Sequence, residues 1–288
     1  MPTTYAHWRF GDRCIGTLPE KLQKVIEKNR SIFDYGVHGP DIFFYYNCLK
    51  KNEVNAYGSR MHEIPFGDTL GEIKPHFENC DRRSAALAYL LGFLCHFTLD
   101  SYCHGYIDRK DELSNATHGK IESQYDRHLL IKDGYDPVKK SVTFSLKPDK
   151  KMAHVIAEIF PAWDEKTIYK TLKDQRMYLN LLKDDSDIKR LIMSKGMDLL
   201  HVSSFKDLML TKENDPEVAD AMLRLDKLGE DALEHYPLLA KSLMGYLMKD
   251  RPLDPYFRNH FCPKEDYKDI PILPLEEERF YVTAGRQK

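Results

Sequence analysis

Between Gly92 and His104 the chain reads GFLCHFTLDSYCH, and His96, Asp100 and His104 fall at every fourth position. At ~100° per residue, side chains four apart stand nearly one above another, so one helix face would carry two imidazoles and a carboxylate. Leu90, Leu91, Phe93, Leu94, Phe97 and Leu99 surround them, which makes this helix a buried one. A polar group without a partner in such surroundings costs roughly 1–3 kcal/mol on mutational scales, so the three need one. A borderline metal such as zinc suits two nitrogens and an oxygen. A hydrogen-bonded network of core histidines is the plainer alternative, but three such residues in register favour the metal.

The same spacing recurs at His118 and Glu122. Two antiparallel helices, one with His96, Asp100 and His104 and the other with His118 and Glu122, would hold five ligands between them. His7, Asp41 and His62 could add to these, each beside a segment boundary with glycine nearby. Singly they read as a surface histidine, a helix N-cap and a loop histidine. His38, His76 and His128 have nothing in the sequence that pairs them with the cluster.

The elements that must position these groups are helices nearly throughout, so the fold class is all-α. Leu18, Leu22, Val25 and Ile26 give an amphipathic helix over about 19–30, with Pro19 in its first turn. A turn at Gly36–Pro40 leads to the apolar stretch that Asp41 opens. A long central helix spans about 81–108, and Asn115 or Thr117 could cap the next one, which runs to Leu130. Val142, Phe144 and Leu146 alternate, which suggests a short extended segment. Further helices are expected over 152–160, 165–182, 187–201, 216–235 and 238–248. Pro252, Pro255, Pro263, Pro271 and Pro274 then break up an irregular tail that packs back on the helical body. One domain is expected, with a metal-binding part over about 1–135, added helices over about 150–250 and the tail at 251–288.

Composition narrows the function. The 288 residues suffice for a substantial core. A hydrophobic content of 42% and a mean hydropathy of −0.54 are ordinary for a soluble globular chain. The net charge of −2 gives no electrostatic case for nucleic acid, and Lys147–Lys151 reads as a solvated loop. Six cysteines include no C-x-x-C pair and read as reduced thiols. No apolar leader follows Met1, so a cytoplasmic location is expected. The run Ala85–Cys95 is too short to span a bilayer before His96 and Asp100 interrupt it.

The order His7, Asp41, His62, His96-x3-Asp100-x3-His104, His118-x3-Glu122 resembles the zinc-dependent phospholipase C family, which is related to the zinc-dependent single-strand nucleases. TYAHWRFG, HGPDIFFY and GFLCHFTLDSYCHG are similar in character to its bacterial members, over roughly residues 5–130. The resemblance implies a multi-helix bundle with two to three zinc ions between its helices. His62, His96 and Asp100 would hold one, and His104, His118 and Glu122 a second. Asp100 would bridge to a third that His7 also binds. Pro2, exposed by removal of Met1, would complete that site through its amine and carbonyl. Asp41 would act as general base or orient the attacking water. The implied activity is hydrolysis of a phosphodiester, a phospholipid headgroup in the phospholipase branch. Nitrogen and oxygen donors without thiolates agree with open, hydrolytic zinc.

Other readings are weaker. A His-Asp dyad phosphohydrolase needs adjacent His-Asp, a di-iron bundle needs Glu-x-x-His, and a zincin needs H-E-x-x-H; His62-Glu63 is followed by Ile, Pro and Phe. A single-strand nuclease-like phosphodiesterase and a non-catalytic helical metal-binding or interaction protein remain. Phe43, Phe44, Tyr45, Tyr46 and Phe66 flank the site residues and fit either a headgroup pocket or plain core.

Overall fold

Helix α6, Arg83–Leu113, is the axle of the structure, a computed structural model that describes residues 4–183, 186–199, 203–262 and 267–281. It is long and apolar enough to cross a membrane by length and composition, but 94% of its most apolar window lies inside the protein. A helix apolar all round belongs in a core. It is five residues longer at its C-terminus than the expected 81–108, and it carries Asp108 toward the next helix.

Ahead of it come α1 (Thr4–Ile15), α2 (Glu20–Lys28), α3 (Arg30–Gly36), a 3-10 turn over Gly39–Tyr45, α4 (Glu53–Glu63) and α5 (Phe66–Asn79). After it come α7 (His118–Lys132), α8 (Lys150–Ile159), α9 (Glu165–Leu182), α10 (Asp187–Leu199), α11 (Ala219–Lys249) and the short α12 (Leu275–Glu278). Among the described residues there is no strand, so the chain is all-α. Val142, Phe144 and Leu146 lie in turns, which corrects the extended segment expected there. Leu146 is buried, Val142 half-buried and Phe144 exposed, so burial does not follow the alternation either.

The helix expected to break near Pro237 is also one element, with that proline inside α11. A proline removes one backbone bond from a helix interior. Here the surrounding side chains Tyr236, Leu239, Ala240 and Leu243 are fully buried, and their packing holds the helix through it.

Two packing contacts set the site. Helix α3 meets α6 at backbone contact: a Cβ on Gly36 would strike the Tyr89 carbonyl, and one on Gly92 would strike that of Phe33. This approach brings Val37, His38 and Gly39 against the middle of α6. Meanwhile α11 lies along α6 on another side. The tail folds back as expected: Phe257 and Phe261 pack among Phe66 and Phe97, with ring centroids 5.3–5.9 Å apart. Farther on, Glu278 is locked to Arg224 by two hydrogen bonds of 2.6 and 2.8 Å in a fully buried pair.

Candidate metal centre

Eight side chains from five elements converge. His96, Asp100 and His104 come from α6, His118 and Glu122 from α7, His7 from α1, His62 from the last turn of α4 and Asp41 from the 3-10 turn. Three groups of ligand atoms lie close enough to share an ion: Asp41, His62 and His96; His7, His96 and Asp100; His104, His118 and Glu122. His62, read as a boundary or loop residue, is helical, and Asp41 lies within its 3-10 turn instead of capping it. Pro2 lies outside the described residues.

Asp100 stands at the centre. Its Oδ2 is 2.9 Å from His96 Nε2, and its Oδ1 is 3.1 Å from His7 Nε2 and 3.6 Å from His104 Nε2. Each oxygen therefore faces a different set of nitrogens, which is the geometry of a bridging carboxylate. Asp41 behaves similarly, with Oδ1 3.1 Å from His62 Nε2 and Oδ2 3.6 Å from His96 Nε2. Glu122 Oε1 lies 3.2 Å from His104 Nε2 and 3.1 Å from His118 Nε2.

The opposite edges of the rings explain why the nitrogens point this way. His62 Nδ1 lies 2.8 Å from the Gly58 carbonyl, His96 Nδ1 3.2 Å from that of Val37, and His104 Nδ1 3.1 Å from that of Phe261. A carbonyl can only accept, so each Nδ1 donates and a neutral ring keeps its lone pair on Nε2. Those lone pairs then face carboxylate oxygens. Acceptor facing acceptor at 2.9–3.6 Å is repulsive unless protons or a cation stand between them. Both Asp41 oxygens, His96 Nε2 and Asp100 Oδ2 are buried without a hydrogen bond of good geometry. The residues present fit zinc: imidazole nitrogen and carboxylate oxygen, mutually oriented, with no cysteine in any of the three groups.

Electrostatics agree. Burial would raise Asp100, but His104, His96 and His7 hold its carboxyl well below the usual range. Burial pulls His104 down, yet the Asp100 carboxylate outweighs it and the ring is pushed well up; His7 is raised in the same way. His118 reaches about 9 because Glu122 and Asp108 outweigh its burial. His96, where burial wins, is lowered. The carboxylates thus favour positive charge at His7, His104 and His118, the same sign that a cation would bring.

Supporting groups were illegible in the sequence. Asp108, on α6, is 2.9 Å from His118 Nδ1. The tail supplies the Phe261 carbonyl and the Cys262 thiol, whose Sγ is 3.0 Å from His104 Nδ1. His38 is buried beside the cluster, where burial and the His7 and His96 rings push it well down. Only its place between Val37 and Gly39 could have signalled this. His128 pairs instead with Asp226 at 3.0 Å, and His76 sits in the last turn of α5. Asp126 caps α1 by accepting the amides of Tyr5 and Ala6 at 2.9 and 2.7 Å, and so fixes His7 one residue on.

A small cavity of about 50 Å³ opens beside the cluster. Glu122, Asp126 and Tyr45 line it together with Val142, Leu179 and Lys140. A larger cleft of about 470 Å³ shares Ser123 and Val138 with it. Of the flanking aromatics, Phe43 and Phe66 are core, Phe44 stacks on His62 at 5.3 Å, and Tyr45 alone among the five lines this cavity.

The sequence model of a family described as Zinc dependent phospholipase C matches residues 6–194. No curated protein and no solved structure matches the chain.

Proposed function

Because the chain belongs to the zinc-dependent phospholipase C family, we propose that it is a zinc-dependent hydrolase of phosphodiesters, acting on phospholipid headgroups. The observation that carries this reading is the approach of His Nε2 atoms to carboxylate oxygens around Asp100, with three backbone carbonyls turning the rings inward.

His62, His96, Asp41 and Asp100 would hold one zinc, and His104, His118 and Glu122 a second. Asp100 and His7 would hold the third, with Pro2 as a further ligand. Asp41, expected as a separate base, stands among the donors and would serve both as ligand and as the carboxylate that aims or deprotonates water. Bound zinc would lower the pKa of water toward ~7 and neutralise charge developing on phosphoryl and leaving oxygens. The chain's own part is to keep the donors fixed. Val37, Gly58 and Phe261 hold the imidazole tautomer, and Asp108 holds His118. At the mouth, Lys140 and Lys183 offer positive charge to a phosphate, while Val138, Val142, Leu179 and Leu182 offer an apolar wall. That mixture suits an amphipathic phosphodiester better than a nucleic-acid strand, which would call for a longer basic track.

A chromogenic phosphodiester assay tests the reading. Hydrolysis should vanish with a chelator and return with zinc, and phosphatidylcholine should be cleaved in preference to single-stranded DNA. Hydrolysis untouched by chelation would refute the zinc mechanism; a preference for DNA would move the chain to the nuclease branch.

A further inference from the structure

A second set of donors meets where the turn between α5 and α6 faces α8. We propose that Asp81, His154 and Glu158 form a separate site for a divalent transition-metal ion of the zinc type, which ties the start of α6 to α8. It draws on none of the residues assigned to hydrolysis.

His154 and Glu158 are four apart on α8 and so share one of its faces. Asp81 approaches from the turn, and one ligand atom from each of the three lies within 4.8 Å of the others. Donors placed ~2.0–2.2 Å from a tetrahedral ion stand about 3.3–3.6 Å apart. His154 Nε2 and Glu158 Oε1 are 3.9 Å apart, so closing on an ion needs only a few tenths of an ångström.

Glu158 is already aimed. Its Oε1 accepts the Asp81 amide at 3.3 Å, and its Oε2 accepts the Cys80 thiol at 2.9 Å. Cys80 is 7% exposed and points its sulfur at this carboxylate, which makes it a positioning group and leaves nitrogen and oxygen as the donors. On the far edge of the imidazole, Glu165 Oε2 lies 3.4 Å from His154 Nδ1 and can fix the ring as the carbonyls do in the main cluster.

The charge balance favours a cation. Three carboxylates, Asp81, Glu158 and Glu165, surround one imidazole, and among the described residues no lysine or arginine pairs with any of them. Arg83, two residues from Asp81, is turned onto the Phe77 ring at 5.0 Å. An imidazole among the donors selects zinc, nickel or copper over calcium and magnesium, which prefer oxygen alone. Asp81 and His154 are exposed, so the ion would keep water ligands and exchange freely. Its effect would be stability by mass action, since binding needs the turn and the helix docked together.

The test uses the full chain equilibrated with micromolar free zinc, comparing wild type with His154→Ala and Glu158→Gln. Each variant should hold one zinc per chain fewer than wild type and lose the last zinc-dependent rise in Tm. Chromogenic phosphodiester hydrolysis should be unchanged. Equal zinc content in all three, with native circular dichroism, would overturn the site. Cobalt substitution checks the donors: no sulfur-to-cobalt charge-transfer band is expected. Such a band, abolished by Cys80→Ser, would overturn the nitrogen–oxygen assignment. Should wild type bind the additional zinc yet hydrolyse nothing, this site stands while the phosphodiesterase reading falls.

Discussion

The two ends of the main cluster are built differently. At the inner end, His7, His96, Asp41 and Asp100 are all at most 3% exposed, pressed between α1, α6 and the 3-10 turn. His7 stacks on His96 with centroids 4.2 Å apart, and Gly39 leaves no room for a side chain against that ring. At the outer end, the His118 side chain is 27% exposed and Glu122 borders the cavity. The inner end is set by backbone packing. The outer end is set by hydrogen bonds from the Asp108 carboxylate, the Phe261 carbonyl and the Cys262 thiol, and it is the end that borders a cavity. A site with one rigid and one accessible end can hold ions while still admitting a ligand.

The largest expected effect comes from breaking the shared centre. His96→Ala or Asp100→Ala should abolish zinc-dependent hydrolysis, while His235→Ala, whose ring pairs with Tyr102 at 3.0 Å, should leave it intact. Equal activity in all three would sink the assignment. Next comes Gly39→Ala. Its backbone φ is +50°, and an added Cβ would overlap the His96 ring. The conformation alone costs an L-residue roughly 1–2 kcal/mol, so zinc content and Tm should both fall. A variant that keeps both would show the inner end to be less tightly packed than described.

Cys262→Ala probes the outer end more gently. Removing a group that orients a ligand typically costs about 10–100-fold in metal affinity or activity. The Phe261 carbonyl still holds His104 Nδ1, so the loss should lie near the lower figure, with the inner ions retained. Loss of every ion together would erase the distinction between the two ends.

The smallest effect is a pH slope at Asp126. Burial raises its carboxyl to about 7, against the pull of the Tyr5 and Ala6 amides. A raised carboxyl binds its proton more tightly in the folded state, so its contribution to stability falls as pH rises from 3.8 to about 7. Asp126→Asn should remove that part of the slope, so the wild-type-minus-variant difference in unfolding free energy changes across this window and is flat above it. A difference constant with pH would contradict the shift.

The gathering of candidate donors was legible because four-residue spacing on apolar helices leaves a local trace at His96, Asp100, His104, His118 and Glu122. The helix over 165–182 was also readable, and in the structure Asp164 caps it by accepting the Thr167 amide. What could not be read comes from distant contacts. Phe261 and Cys262 lie more than 150 residues from His104, and no local pattern announces that tail residues will touch it. His38 looked unattached because its neighbours come from α1 and α6. The two helices expected over 216–235 and 238–248 run together because burial on both sides of Pro237 overrides a local breaker. Asp41 was placed beside the metals, but its meeting with His62 and His96 depends on the crossing of α3 over α6 at Gly36 and Gly92, which spacing alone does not reveal.

The central claim is that buried nitrogens and oxygens around Asp100 trap zinc. Anomalous diffraction from crystals of the zinc-equilibrated protein, collected on either side of the zinc edge, tests it most directly. Peaks should lie among His7, Asp41, His62, His96 and Asp100, and among His104, His118 and Glu122. A map with no peak at either place, in protein otherwise folded as described, would contradict it.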